Sequence, residues 1–324
     1  MKKTIILILL ACLAVPVFAD QAIMLPAGML RLTVVPTFAF APGAYDTGGN
    51  YSAYGSGQGY ANVLNTGGAI EYGITDWINV GVQWAPGWNI TSSVNLPIGT
   101  SGVNIDGFYD VIVGTKLQWI GEKAPIKSDT IRFCLSPGFM VPLGGANFQT
   151  QFANVANGSD VTVTNPDKQV WGVGGRLDAD YVFSKAFYLN LYSQFLYLLG
   201  TVPLEDTSLP GYISYLHGQN PNVGYGYEWT VEMEPHYIYV LSEGVHLEGS
   251  LPFTLTYSPN VSYNGVTQAN TAQALLVVRP TLDLFFLKSA IPFPLEFKLS
   301  YSLPFIGNNT IATNAVILIV RAYL

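Results

Sequence analysis

Charge is scarce in this sequence. Asp, Glu, Lys and Arg make up 11% of its 324 residues, where a soluble domain carries about 25%. Bases are the scarcer half, with 14 Lys and Arg against 21 Asp and Glu, a balance that argues against nucleic-acid binding. Cysteine is nearly absent as well: Cys12 and Cys134 are the whole set. Beyond the first twenty residues there is no uninterrupted apolar run of ~18, so no transmembrane helix is available. Yet 49% of the chain is apolar and 13% is aromatic. High apolarity without a helical span leaves a large all-β protein, either a soluble sandwich or a membrane barrel.

Lys2-Lys3, the apolar run Ile5–Val15 and then Val17-Phe18-Ala19 read as an export signal cleaved after Ala19. Residues 1–19 are therefore set apart from a single barrel domain spanning 20–324. Leu9-Leu10-Ala11-Cys12 also resembles a lipoprotein box, although Cys12 lies inside the apolar run and an ordinary cleavage site follows. Losing residues 1–19 removes Lys2, Lys3 and Cys12. The remainder holds 12 bases against 21 acids, a net charge of −9, and Cys134 is left with no internal partner.

What the sequence does contain is alternation. Tyr225, Tyr227, Trp229, Val231, Met233, Pro235, Tyr237, Tyr239 and Leu241 share one face of an extended chain. Glu228, Thr230, Glu232, Glu234 and His236 share the other. After Ser242-Glu243-Gly244 the pattern resumes, with Val245, Leu247, Gly249, Leu251, Phe253, Leu255 and Tyr257 against His246, Glu248, Ser250, Thr254 and Thr256. Successive strand side chains point to opposite faces, so this is a hairpin with one greasy and one charged face. A three-residue loop pairing Leu241 with Val245, and Gly244 in the left-handed position, keeps the parity.

About twelve such segments run from Met29 to the end. Their polar faces carry Arg31 in the first, Glu71 in the second, Lys116 in the fourth and Arg132 in the fifth. Arg176, Asp178 and Asp180 follow in the sixth; Glu228, Glu232, Glu234, His236, His246 and Glu248 lie in the eighth and ninth. Arg279 and Asp283 stand in the tenth, Glu296 and Lys298 in the eleventh and Arg321 in the last. The second segment spans about 64–73, and the last, about Ile311–Tyr323, is apolar on both faces.

Connections then alternate in length. Those after segments one, three, five, seven and nine hold about 23, 20, 27, 24 and 14 residues, rich in Gly, Asn, Ser and Thr. The returns, such as Thr75-Asp76 and Ser184-Lys185, are short. Long loops at one end and tight turns at the other mark a transmembrane antiparallel up-and-down barrel of about twelve strands, with short periplasmic turns and long extracellular loops. Greek-key links in a soluble sandwich have no reason to alternate so. Trp77, Trp84, Trp88, Trp119, Trp171, Tyr181, Phe183, Trp229 and Tyr239 gather near strand ends, as interfacial girdles require. Closure satisfies every backbone group in lipid.

Two features sit awkwardly with a barrel. Pro36, Pro137, Pro235, Pro252 and Pro280 fall inside strands, where each removes a ladder donor, so bulges or lost hydrogen bonds are expected there. The chain also ends in Leu324, which leaves Tyr323 as the stand-in for a terminal aromatic.

Residues 25–40, opening Leu25-Pro26-Ala27-Gly28, and residues 70–88, with Tyr72-Gly73-Ile74-Thr75-Asp76, resemble a known family. They are similar to the outer-membrane transporters grouped as the MetA-pathway phenol-degradation family, relatives of FadL-type hydrophobic-compound channels. The resemblance covers the first third of the chain by motif and the rest by architecture. It implies a short lead-in to strand one, a periplasmic turn at Tyr72–Asp76 and passage of small hydrophobic or aromatic compounds. FadL-type channels carry an N-terminal plug of about forty residues. Here about nine separate Asp20 from Met29, too few to fill a lumen, and the longest loop, 142–168, is the expected constriction instead.

The polar face would line the lumen. Arg279, Lys298, Arg321 and Arg31 fall on strands ten, eleven, twelve and one, opposite the acids of strands six, eight and nine. That layout suggests a transverse field orienting dipolar or zwitterionic solutes; the plainer alternative is local pairing, with Arg176 beside acids and Glu296 and Asp283 beside bases. His236 and His246 lie too far apart for compact zinc ligation and are expected to hydrogen-bond in the lumen. An enzyme needs a nucleophile and base in reach, and the only outer-loop constellation is His217 with Glu205 and Asp206. Gly172-Val173-Gly174-Gly175 has no phosphate-loop lysine. The reading is a channel in the cell outer membrane for passive uptake of small hydrophobic or mildly polar solutes, with no enzymatic activity, cofactor or metal. Its partners are outer-membrane lipid, the solute and the barrel assembly machinery. The alternative is a surface barrel or adhesin binding through its long loops.

Overall fold

The computed structural model describes residues 22–54, 60–95, 102–143, 161–164, 170–203, 222–287 and 292–324. Twelve strands form the wall. In chain order they are β1 (Leu30–Tyr45), β2 (Tyr60–Thr75), β3 (Ile78–Asn95), β4 (Val111–Gly121, preceded by Gly102–Phe108), β5 (Ile131–Val141) and β6 (Trp171–Val182). There follow β7 (Phe187–Leu199), β8 (Tyr227–Ser242), β9 (Val245–Ser250 and Phe253–Ser258), β10 (Gln273–Val278 and Thr281–Phe286), β11 (Leu295–Asn308) and β12 (Thr310–Tyr323). Each strand pairs antiparallel with its neighbour in sequence, and β1 pairs with β12 from Arg31↔Tyr323 to Tyr45↔Thr310. The sheet closes on itself, so among the described residues the wall has no edge left to hydrogen-bond with lipid.

Alternation places the side chains as the pattern requires. On β1, Val34 and Phe38 are exposed outward while Arg31, Thr33, Val35 and Ala39 are buried inward. On β8, Trp229, Met233, Tyr237 and Tyr239 are exposed, whereas Thr230, Glu232, Glu234 and His236 are buried. The outward set is the lipid-facing belt, and Trp88, Trp119, Trp171, Tyr181, Phe183 and Trp229 lie exposed on it.

Several boundaries differ from the sequence-based expectation. β2 runs well beyond 64–73, and β3 with the segment ahead of β4 turns most of the expected loop after strand three into strand. The β8–β9 register is as expected, with His236 opposite Ser250 and Val240 opposite His246. The turn is not. Ser242 pairs with Val245, so Glu243-Gly244 make a two-residue loop and the extra residue at Leu241 is taken up as a bulge. Gly244 keeps its left-handed conformation (φ +88°). The β11–β12 connection is a single residue, Asn309, at φ +50°, which amide side chains tolerate best among non-glycines.

Of the five strand prolines, Pro252 and Pro280 interrupt β9 and β10. Their carbonyls still serve the ladder, accepting from Arg279 N at 3.0 Å and Tyr301 N at 3.1 Å. Pro36, Pro137 and Pro235 stay inside unbroken strands. Tyr323 does not present an outward ring at the C-terminus: its hydroxyl bonds Glu296 inside the barrel.

Candidate functional site

The first surprise is at the short-turn end. The stretch before β1 enters the lumen and lies across the inner wall from β2 to β6. Ala22 is fully buried and Leu25 nearly so. Ala22 N donates to Asp180 Oδ1 at 3.2 Å, and its carbonyl accepts from Gln118 Nε2 at 2.6 Å and Cys134 Sγ at 3.3 Å. Lys116 Nζ reaches Ile23 O at 3.2 Å. Ala27 N donates to Asp76 Oδ1 at 3.1 Å, and Gly28 N to Gly73 O at 2.8 Å. Two motifs that stood apart in sequence, Leu25–Gly28 and Tyr72–Asp76, thus grip each other. Gly73 is required for it, since a Cβ there would lie 2.2 Å from Pro26 O. The lead-in, too short to fill a lumen, is thus bonded along the inner wall. A narrow twelve-stranded lumen needs little to cross it. The 142–168 loop lies largely outside the described residues; its Val161–Thr164 pairs in parallel with 103–106.

The Ala27 amide holds the Asp76 carboxyl, in the exposed β2–β3 turn, below the usual carboxylate range, and Lys123 Nζ at 3.5 Å adds to this.

Above the segment runs a belt of charge. Arg279 Nη2 lies 2.8 Å from Glu232 Oε2, and Thr254 Oγ1 bonds the same carboxylate. Lys298 Nζ is 3.7 Å from Glu234 Oε1. His236, fully buried, sits between Glu248 Oε1 at 2.6 Å and Glu234 Oε2 at 3.2 Å and stacks on Tyr188 at 4.2 Å. Arg31 pairs with Glu71, and Arg321 with Glu296. Arg132 Nη1 is 3.3 Å from Asp180 Oδ2. The bases of β10 and β11 therefore meet the acids of β8 directly instead of facing them across the pore. Pairing of this kind leaves little field to orient a solute, and the register across β9 and β10 that produces it has no trace in any single strand. Among the described residues no cluster of His, Cys, Asp and Glu has metal-site geometry. His217, Glu205 and Asp206 fall outside the described residues. Glu228, on β8 opposite Leu196, and His246, opposite Val240, lie on the same strand faces as Glu232 and Glu248.

The lumen is less polar than the alternation implied. Val35, Ala39, Ala315, Ile317 and Ile319 form one buried apolar cluster on β1 and β12. Met140, Val170, Leu196 and Leu198 form another towards the long-loop end, with Ile112 against it. Two-faced apolarity was the signal for the first in β12, and the same signal marks the second at 195–199, 139–141 and 111–113.

Between that second cluster and the charged belt lies a row without side chains. Gly81, Gly114, Gly138 and Gly174 are directly paired across β3, β4, β5 and β6, all facing inward. The wall bends tightly there: a Cβ on Gly174 would lie 2.0 Å from Phe195 O, and one on Gly114 2.8 Å from Pro137 O. A cavity of about 120 Å³ opens over the row, lined also by Ile112, Lys116, Ser136, Arg176, Asp178 and Leu196. Arg176 donates to Gln194 Oε1 at 2.9 Å and lies over the Tyr192 ring. Asp178 is fully buried, and neither carboxylate oxygen has a hydrogen-bond partner among the described residues.

A closed, twelve-stranded antiparallel barrel with an aromatic-rimmed apolar exterior and a polar interior is an outer-membrane β-barrel. Compared with solved structures, the chain is similar over 95% of its length to the whole of the COG4313 outer membrane channel from Pseudomonas putida F1, with a TM-score of 0.68 at 12% identity. Looser likenesses are the translocator domain of autotransporter NalP from Neisseria meningitidis (TM-score 0.48, 10% identity, 92% of this chain and 89% of that one) and a Pseudomonas aeruginosa FadL homologue (TM-score 0.38, 10% identity, 91% and 90%). No protein-family model matches the sequence, and no curated protein matches it.

Proposed function

We propose that this protein is an outer-membrane channel for passive entry of small hydrophobic or mildly polar solutes, constricted by its own N-terminal segment. The observation that carries the reading is the hydrogen-bonded lay of Ala22–Gly28 across the mouth of a lumen that holds both apolar clusters and a cavity. A barrel serving only as a scaffold for outer loops has no need of a constriction held by bonds to Asp76, Gln118 and Asp180. The likeness in fold to a solved outer-membrane channel agrees with it. So does the resemblance of residues 25–40 and 70–88 to transporters of the MetA-pathway phenol-degradation family, which points to aromatic solutes. On this reading the chain is exported, cleaved after Ala19 and inserted by the barrel assembly machinery.

The test is single-channel conductance of the refolded chain in planar bilayers, beside a variant lacking residues 20–26. Discrete small openings that widen on deletion support the channel. A folded, heat-modifiable barrel that never conducts, with or without the segment, would favour a surface barrel or adhesin instead.

A further inference from the structure

The glycine row and its surroundings form a solute-binding subsite of defined chemistry. We infer that the cavity over Gly81, Gly114, Gly138 and Gly174 binds a planar, single-ring aromatic acid that also carries a hydrogen-bond donor, of the hydroxybenzoate class. This rests on the channel reading and narrows it.

Size comes first. A cavity of about 120 Å³ is on the scale that takes one benzene-sized ring, since an engineered apolar cavity of about 150 Å³ does so. Shape agrees. Four paired glycines expose flat peptide planes at one level of the wall, and a ring can lie on them with no Cβ in its way. The apolar cluster stands at one end of this shelf, with Ile112 and Leu196 lining the cavity.

The other end is polar in a particular way. Lys116 and Arg176 line the cavity one inward position further along β4 and β6, and Glu71, which also lines it, is paired with Arg31, so a carboxylate there meets two cations, and guanidinium is well suited to it. Asp178 follows on β6. A buried carboxylate with both oxygens unbonded is costly to leave so. Ionised, it only accepts, so a group that satisfies it in that state must donate. A hydroxyl on the same ring as the acid supplies that donor, which plain hydrocarbons and plain benzoate lack.

The probes are 3-hydroxybenzoate, benzoate and phenol, and binding to the detergent-solubilised full barrel is read by equilibrium dialysis, which needs no conduction. The expected order is 3-hydroxybenzoate tightest, with benzoate and phenol each weaker by about tenfold or more, as for a site whose buried polar groups are left unpaired. Asp178→Ala, which removes both acceptor oxygens, should abolish the preference for 3-hydroxybenzoate over benzoate without weakening benzoate. Arg176→Gln should weaken both acids and spare phenol. Gly138→Ala, whose methyl would stand 3.0 Å from Val113 O, should weaken all three. Heat-modifiable mobility confirms that each variant folds. Equal binding of 3-hydroxybenzoate and benzoate to the unaltered protein overturns the assignment without any variant. If binding fails while the bilayers still conduct, the subsite is wrong and the channel stands; binding without conduction keeps the subsite and rejects the open channel.

Discussion

Arg279 of β10 reaches over β9 to Glu232 of β8, with Nη2 2.8 Å from Oε2 and both side chains almost wholly buried. Thr254, on the strand between, bonds the same carboxylate. Breaking a buried pair from one side strands the other charge, which costs about 3–5 kcal/mol. Glu232→Gln should therefore lower the unfolding midpoint in detergent micelles sharply, while Glu232→Leu combined with Arg279→Met should recover most of the loss. The single variant should also turn the pore towards anions, read as a shift in reversal potential under a salt gradient. No shift would mean that the pair lies off the ion path.

Cys134 reports on the N-terminal segment. Its thiol is fully buried and lies 3.3 Å from Ala22 O. Maleimide should label the folded protein slowly, and removal of residues 20–26 should raise the labelling rate at least about tenfold, as for a site gated by local opening. Equal rates would show that the wall alone shields the thiol.

Acid should loosen the same segment at its other end. The Asp76 carboxylate accepts from Ala27 N, and its folded-state pKa is depressed below the ordinary 3.8. A depressed carboxylate contributes its stabilisation above its ordinary value and loses it as pH falls through the folded one. The anchor should thus hold at neutral pH and throughout mild acid, and release only below the usual carboxylate range. A spin label at position 24 should gain mobility in that low window. In Asp76→Ala it should be mobile at every pH.

Neighbouring glycines on β6 should behave oppositely. A Cβ on Gly174 would lie 2.0 Å from Phe195 O, whereas one on Gly175 meets nothing closer than 3.6 Å. Overpacking costs about 1–3 kcal/mol and sometimes more, so Gly174→Ala should cut the yield of heat-modifiable barrel or lower its melting temperature clearly. Gly175→Ala should stay within about 0.5 kcal/mol of the unaltered protein. Matching losses would show that the wall is not pinched at that row.

Strand number, the inward and outward faces and the β8–β9 register were all legible in the chain. Side-chain direction repeats every two residues, so a face is written locally and a slip of one would turn it to the lipid. Leu25–Gly28 and Tyr72–Asp76 were legible as motifs, but not as partners. What only the closed structure decided depends on residues several strands apart. Arg279 meets Glu232, the four glycines fall in one row, and Ala22 finds Asp180, Gln118 and Cys134, because the stagger of neighbouring strands brings them to one height around the barrel. Ala22–Gly28 is apolar throughout but has no periodicity to say which wall it would meet. Ala22 and Leu25 are buried because the inner wall of the closed barrel meets them there, and no reading of single strands places that wall.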